Sequence, residues 1–352
     1  MKIAVIVRRL SGKGGMETVI RSLADAALEQ GDAQVHVWAM GDPLDKDWLG
    51  GLPHHVLRID QGTGKRFQLK TKLPLYTWAI RSLMKKDPVD VVLATDPVFV
   101  AAAVKARRDG HPKVLSWVHF SLDALANVEY LRSADGHLAI SSGIRNQIQA
   151  LGPRSAPSLV HNPVPESPPY TKSDPRPGHL AFIGRLNNRQ KRLDVLFQAL
   201  ALTSHPDWHL TIVGDGPDRT MLQELSETLD IDKKLTWSLW QPRPWHDLNP
   251  AYLCLSSDFE GFPMALLEAL ARGVPVLATD CPTGPRDIVI PGKNGWLSPV
   301  GDVKTFAMHL DRALSQVPLA WDSDAIREDA LARFGADQVF KRVQHAIKEA
   351  PG

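Results

Sequence analysis

Two carboxylates, Glu260 and Glu268, stand with seven residues between them in the stretch S-S-D-F-E-G-F-P-M-A-L-L-E, residues 256–268. An apolar run at 251–255 precedes the stretch and is short enough for a buried strand. Strong helix formers follow at 265–271 and stop at Gly273 and Pro275. The order is therefore strand, polar turn, helix start. Unpaired backbone N–H groups at a helix start attract anions, and carboxylates beside them accept hydrogen bonds from hydroxyls. A ligand carrying both phosphate and hydroxyls suits that combination, and a nucleotide-sugar is one. On spacing alone, a helix cap and a solvated charge describe the two residues better; it is their company that shifts the balance.

Four further places supply that company. The first strand-to-helix turn, residues 11–17, holds Gly12, Gly14 and Gly15, which let backbone approach a phosphate. It lacks both the Gly-Lys-Ser/Thr ending of a Walker loop and the G-x-G-x-x-G dinucleotide spacing, so a plain tight turn is an equal reading. Gly184-Arg185-Leu186 with Gln190-Lys191-Arg192 follows a second-half strand; Arg185 and Lys191 bracket a turn and could converge on a diphosphate leaving group. A solvated basic loop is the alternative. Gly214, in V-G-D-G-P, repeats the strand-to-glycine pattern, and Trp237, Trp240 and Trp245 offer either a base-binding wall or core packing. His119 ends an apolar run in the first half, where a histidine facing a ligand edge can hold or move a proton and elsewhere is structural.

The elements that must position these residues alternate along the chain. Apolar strand-like runs at 3–7, 35–40, 89–94, 114–118 and 138–140 form one set. Runs at 180–183, 210–213, 234–239, 251–255 and 275–278 form a second, with helical stretches such as 17–30 and 194–203 between them. Alternation of this kind specifies parallel sheets in an α/β fold, here two doubly wound domains rather than one barrel. Six prolines between Pro163 and Pro177 read as a linker. The expected domains are 1–164 and 178–336, with ligands held in a cleft at the carboxyl ends of the strands.

Composition narrows the classes. The chain has 352 residues, 43% hydrophobic and 23% charged, enough for two domains with large cores. Its net charge of +2 conceals an uneven spread: 21 Lys and Arg against 15 Asp and Glu over residues 1–165, then an acidic remainder. That balance is too weak to favour nucleic acid. Residues 65–86 carry seven basic side chains, no acid, and interleaved Phe67, Tyr76 and Trp78, a pattern suited to an anionic bilayer surface or to an ordinary solvated helix face. Pro74 is expected to interrupt any single helix there. No run spans a membrane, and the first apolar run is too short for a signal peptide, so a cytoplasmic location, at most attached to a membrane surface, is expected. Cys254 and Cys281 read as core thiols. The triplets 45–47 and 230–232 mimic a metal-binding Asp-x-Asp but follow no buried strand directly, so neither metal nor cofactor is expected.

Together, the Gly14-Gly15 loop, His119, the Arg185/Lys191 pair and the 260–268 motif resemble the retaining family 4 glycosyltransferases of GT-B fold. The resemblance covers nearly the whole chain. More narrowly, G-G-M-E-T-V-I (14–20), H-F-S-L-D (119–123), H-L-A-I-S-S-G-I (137–144), F-E-G-F-P-M (259–264) and G-P-R-D (284–287) are similar to transferases that decorate the lipopolysaccharide core. The resemblance implies transfer of a hexose, galactose from UDP-galactose in the first instance, onto a core sugar through an α-1,6 linkage. Another UDP-sugar, another glycan acceptor, a sugar-nucleotide epimerase or a non-catalytic sugar-binding protein are the rival readings. By resemblance, Glu260 and the backbone of Gly261, Phe262, Pro263 and Met264 would hold the donor sugar. Glu268 would hold the ribose. Arg185 and Lys191 would hold the diphosphate with Gly14, Gly15, Gly184, Gly214 and the helix start near Leu266 and Leu267, and Trp240 would line the donor site. His119 would lie by the anomeric region. The last helix, 337–352, would cross back to the first domain. Front-face substitution, with no protein nucleophile and no metal, is the implied mechanism.

Overall fold

The computed structural model describes residues 1–12, 14–60, 72–164, 176–241, 244–245, 248–315 and 321–351. Lys13, the first part of the basic segment (61–71), most of the proline-rich stretch (165–175) and Pro242-Arg243 lie outside the described residues. The chain divides into two compact units, Met1–Glu166 with Phe334–Gly352, and Ser167–Arg333.

The first unit is a seven-stranded, wholly parallel sheet in the order β3-β2-β1-β4-β5-β6-β7. The strands are β1 (Lys2–Val7), β2 (Gln34–Ala39), β3 (His54–Val56), β4 (Val91–Ala94), β5 (Lys113–Ser116), β6 (Gly136–Ala139) and β7 (Ser158–Leu159). Strands β1 and β4 are buried along nearly their whole length, as continuous apolar runs of a sheet covered on both faces must be. Helices α1 (Gly15–Glu29), α2 (Leu73–Lys86), α3 (Pro97–Ala106) and α4 (Ser142–Ala150) make the crossovers. Pro74 does not interrupt α2 as expected. It occupies the first turn, where a missing N–H has no helical partner to lose, and so starts the helix.

The second unit repeats the plan with six parallel strands in the order β10-β9-β8-β11-β12-β13: β8 (Arg176–Ile183), β9 (His209–Val213), β10 (Leu235–Ser238), β11 (Pro250–Leu255), β12 (Val276–Thr279) and β13 (Gly295–Ser298). The helices of this unit are α5 (Asn188–Lys191), α6 (Leu193–Leu202), α7 (Arg219–Thr228), α8 (Met264–Leu270), α9 (Pro285–Ile288), α10 (Val303–Leu314) and α11 (Ser323–Phe334), the last residue of which counts with the first unit. One core joins Phe182, Leu196, Phe197, Ile212, Tyr252, Trp296 and Phe306 across the sheet. Trp237 packs edge-on against Phe197 at 6.1 Å, so its ring belongs to the fold rather than to a ligand wall. In both sheets the strand order reverses beside the first strand, at β1/β4 and at β8/β11, and an open α/β sheet binds ligands outside the carboxyl ends at that point.

The closing helix α12 (Ala336–Glu349) buries Val339, Phe340, Val343, Ala346 and Ile347, one stripe of a 3.6-residue period. It is tied into the first unit by Lys113, whose Nζ donates to the carbonyl of Ala350 at 2.6 Å, and by Arg342 Nε, which donates to Val160 O at 3.0 Å. The chain returns at Phe334, before position 337. The Phe334 ring meets His161 edge-on at 5.3 Å, and its carbonyl accepts the Val164 N–H at 2.8 Å.

Candidate functional site

At the β8/β11 reversal the loop after β8 meets the loop after β11. Lys191, the last residue of α5, reaches Glu260: Nζ to Oε1 is 2.6 Å, with Glu260 8% exposed. Ser257 Oγ donates to the same Oε1 at 2.7 Å. Among the described residues Glu260 Oε2 meets only Gln190 Nε2, at 3.5 Å, and so retains capacity to accept a hydrogen bond. The two loops are stitched by backbone as well. Ser256 Oγ donates to Lys191 O at 2.9 Å, and the Asp258 N–H donates to Gln190 O at 2.9 Å. Thr283 Oγ donates to the Glu260 carbonyl.

Arg192 fixes the approach of Lys191. Its backbone is left-handed, with φ of 47°, and it separates α5 from α6. Its guanidinium spans Asp258 (3.0 and 2.8 Å) and Asp194 (3.0 Å), both of which raise its proton affinity. The two-pronged pair with Asp194, through Nε and Nη2, fixes the guanidinium, and its Nη1 meets both oxygens of Asp258, so the turn holding Lys191 is anchored to the loop holding Glu260. The glycines complete the crossing. A Cβ on Gly214, where φ is +153°, would lie 1.9 Å from the Gly184 carbonyl oxygen, and one on Gly184 would lie 3.6 Å from Lys191 Cε. Gly184 and Gly214 therefore let β8 and β9 end in contact, with the Lys191 stem close above.

Glu268, on α8, lies in a neighbouring cluster. Trp245 Nε1 donates to its Oε2 at 2.9 Å, and Arg272 lies over the Trp245 ring at 5.1 Å. Burial raises the Glu268 carboxyl above the usual range, opposed by the Trp245 hydrogen bond and the Arg272 charge. Its Oε1 accepts no hydrogen bond among the described residues. Gly261, Phe262 and Pro263 lie against Gly284, where a Cβ would come within 2.9 Å of Gly261 O and 2.8 Å of Pro263 Cδ. Leu266 and Leu267 are fully buried, and the Leu266 N–H donates to Pro263 O at 3.1 Å. Arg185 and Trp240 project outward. Met264 opens α8.

Gly14, Gly15 and His119 belong to the first unit. Gly14 caps α1 and leaves room for Glu17, whose Oε1 accepts the Gly12 N–H at 2.8 Å and the Ser11 hydroxyl at 3.2 Å. His119, three residues beyond β5, is 8% exposed and meets Trp117 edge-on at 4.6 Å. Its Nε2 has no hydrogen-bond partner among the described residues. Desolvation pushes its pKa down to about 3, so the imidazole is neutral at physiological pH.

Sequence reasoning brought Lys191 and Glu260 to one place but passed over four of their supports. Ser257 lies inside the quoted motif. Gln190 and Arg192 adjoin Lys191, and Thr283 adjoins the 284–287 stretch; only the fold brings Gln190 and Thr283 to Glu260 and Arg192 to Asp258.

Two family models match the chain. Residues 13–168 match the model described as Glycosyltransferase Family 4, and residues 165–324 match Glycosyl transferases group 1. A lipopolysaccharide 1,6-galactosyltransferase of Salmonella typhimurium is 35% identical over 99% of this chain and 98% of its own length. The chain belongs to the glycosyltransferases. An Escherichia coli K12 protein of the same description is 36% identical over 90% of this chain and 89% of its own length. The solved lipopolysaccharide outer core galactosyltransferase WaaB, in its apo form, superposes with a TM-score of 0.83 at 35% identity, covering 99% of both chains. Anabaena Alr3699/HepE in complex with UDP shares the fold at 17% identity and a TM-score of 0.81. The chain is thus an α/β protein of GT-B fold and a hexosyltransferase of a lipopolysaccharide-biosynthesis family.

Proposed function

We propose that this hexosyltransferase moves galactose from UDP-galactose, with retention of configuration and without a metal ion, onto a sugar of the lipopolysaccharide core through an α-1,6 linkage. The observation that carries this reading is the Lys191–Glu260 pair at the β8/β11 reversal of a chain 35% identical, end to end, to a 1,6-galactosyltransferase.

The chemistry follows from the donors and acceptors present. Lys191 has three N–H donors and gives one to Glu260, so two remain for a diphosphate oxygen. Arg185, exposed in the loop after β8, supplies a second positive charge to the leaving group. Glu260 Oε2 accepts from a hydroxyl of the donor sugar, and Glu268 Oε1 from the ribose. The acceptor hydroxyl attacks the anomeric carbon on the face that UDP leaves. The bond from that carbon to the diphosphate breaks, and a phosphate oxygen takes the acceptor's proton. Neutral His119 is the first-unit candidate of the same reading, its Nε2 buried and unpartnered among the described residues.

Attachment to an anionic leaflet is part of the same reading. No helix among the described residues is long and apolar enough to cross a membrane. In the described part of the basic segment, α2 leaves Trp78 69% and Leu75 45% exposed, beside exposed Lys85 and Lys86. Lys72 is spent on Asp60 at 2.8 Å, and Arg81 on the carbonyls of Lys105 and Ala106. Absence of binding to phosphatidylglycerol vesicles at low salt would remove this part.

The test of the reaction is UDP release from UDP-galactose, UDP-glucose and UDP-N-acetylglucosamine, alongside GDP release from GDP-mannose, with a truncated lipopolysaccharide acceptor present. Selective use of UDP-galactose, undiminished by chelator, is expected. Preference for another donor overturns the galactose assignment, and complete loss in chelator restored by manganese overturns the metal-free mechanism.

A further inference from the structure

The Trp245 indole offers a ring and one N–H, and the Glu268 cluster takes both. Nε1 donates to Glu268 Oε2 at 2.9 Å across 23 positions of chain. The Arg272 guanidinium lies over the ring at 5.1 Å, and its Nη1 donates at 2.9 Å to the carbonyl of Glu268, four residues before it. Carboxylate, indole, guanidinium and backbone thus close a circle. Trp245 is only 9% exposed, so its N–H points where packing puts it.

Such a circle differs from a helix cap or a surface charge. A buried carboxylate that served the fold alone would have both oxygens bonded. Here burial raises the Glu268 carboxyl, and Arg272 opposes that through charge, with no hydrogen bond to either oxygen among the described residues. Oε2 takes the one bond an indole can give, and Oε1 accepts none among the described residues. The last torsion of a glutamate side chain is soft, so fixing one oxygen fixes the direction of the other. The open oxygen is aimed before a ligand arrives, by a neutral donor that leaves its charge intact. A hydroxyl meeting a preset carboxylate gains more than one that must first order it. Glu260 uses the same device in another form: Lys191 and Ser257 hold Oε1 and leave Oε2.

We propose that Trp245 is the positioning residue for Glu268 and, through it, sets the preference of the donor site for a ribose bearing its hydroxyls, with Arg272 holding the indole. This inference rests on the assignment of the ribose to Glu268 made above.

The test is calorimetric titration of the full chain with UDP and with 2′,3′-dideoxy-UDP, which needs neither acceptor nor turnover. The wild type is expected to bind UDP at least about tenfold more tightly than the dideoxy compound. Trp245→Phe keeps a ring under Arg272 and removes the N–H. It should cut that ratio to about threefold, while affinity for the dideoxy compound stays within about twofold. In a Glu268→Ala background the ratio is near one and Trp245→Phe changes it no further, as for a residue acting only through the carboxylate. Arg272→Met leaves the N–H but frees the ring, and lowers the ratio by a smaller factor. It carries the test if Trp245→Phe does not fold, and an intact ratio in it then overturns the proposal. A tenfold ratio left intact by Trp245→Phe, or equal weakening of both nucleotides, also overturns it and marks the indole as a support of the fold alone. A wild-type ratio near one overturns the ribose assignment itself, and is seen before any variant is made.

Discussion

The two sheets share a strand order through their first six strands, and their ligand edges differ in kind. At β8/β11 the edge is charged and bonded: Lys191, Glu260, Ser257 and the Arg192–Asp258 clamp fasten one loop to the other. At the edge after β5 the chain presents a neutral buried histidine and an outward phenyl ring. A diphosphate carries charge that must be met by charge held in place before binding. A neutral glycan asks for shape, an apolar face and a few fixed polar atoms. The same frame can carry edges of different chemistry because that chemistry resides in the loops rather than in the strands.

Breaking the charged edge gives the largest effects. Lys191→Ala and Arg185→Ala should each lower kcat by about 10²–10³, as for loss of a preorganised charge-stabilising donor. They should part on stability. Lys191→Ala leaves the buried Glu260 carboxylate short of a partner and costs about 1–3 kcal/mol of folding free energy, whereas exposed Arg185 can be removed with little change in Tm. Thermal melts beside turnover assays check both, and equal melting losses would contradict the geometry. Next comes Gly214→Ala. A Cβ 1.9 Å from Gly184 O must displace β8 or β9, so UDP affinity and thermal stability should fall together. Glu268→Gln is milder. It keeps the Trp245 hydrogen bond but removes the charge, and calorimetry should show UDP binding weakened about tenfold. Because burial holds the Glu268 carboxyl above its ordinary range, the folded state binds that proton more tightly than the unfolded chain. Its contribution to stability is present below the ordinary carboxyl range and fades as pH rises through the raised value; Glu268→Gln should remove that fading.

The neutral edge responds to acid instead. His119 titrates at about 3 when folded and near 6.5 when unfolded. The unfolded chain binds more protons between those values, so stability present above 6.5 is lost as pH falls toward 3. His137, buried beside Ser116 and pushed down to about 4, acts in the same direction. His119→Gln should flatten the acid limb of a melting profile without removing it. The kcat/KM profile of the wild type should show no His119 limb near 6.5, and a limb there abolished by His119→Gln would contradict a neutral imidazole.

Much of this was legible in the residues. Nine of the ten apolar runs mark interior strands, because a strand buried on both faces must be apolar throughout, and the tenth falls on the edge strand β10. The missed strands lie at sheet edges: β3 and β7, of three and two residues, and β13, where Gly295 and Trp296 blur the pattern. The run at 114–118 continues past the strand's end at Ser116 because Trp117 and Val118 are buried outside the ladder. Glu260, Glu268 and Lys191 stood out through spacing and resemblance. Thr283, donating to the Glu260 carbonyl from 23 positions away, carries no local signal.

The most direct test of the division between the edges is hydrogen–deuterium exchange of the full chain with and without UDP. Protection concentrated at 184–192 and 256–270 is the expected result, with 119–123 unchanged. Protection at 119–123 in the absence of any change at 184–192 and 256–270 would contradict the assignment of the nucleotide to the second unit.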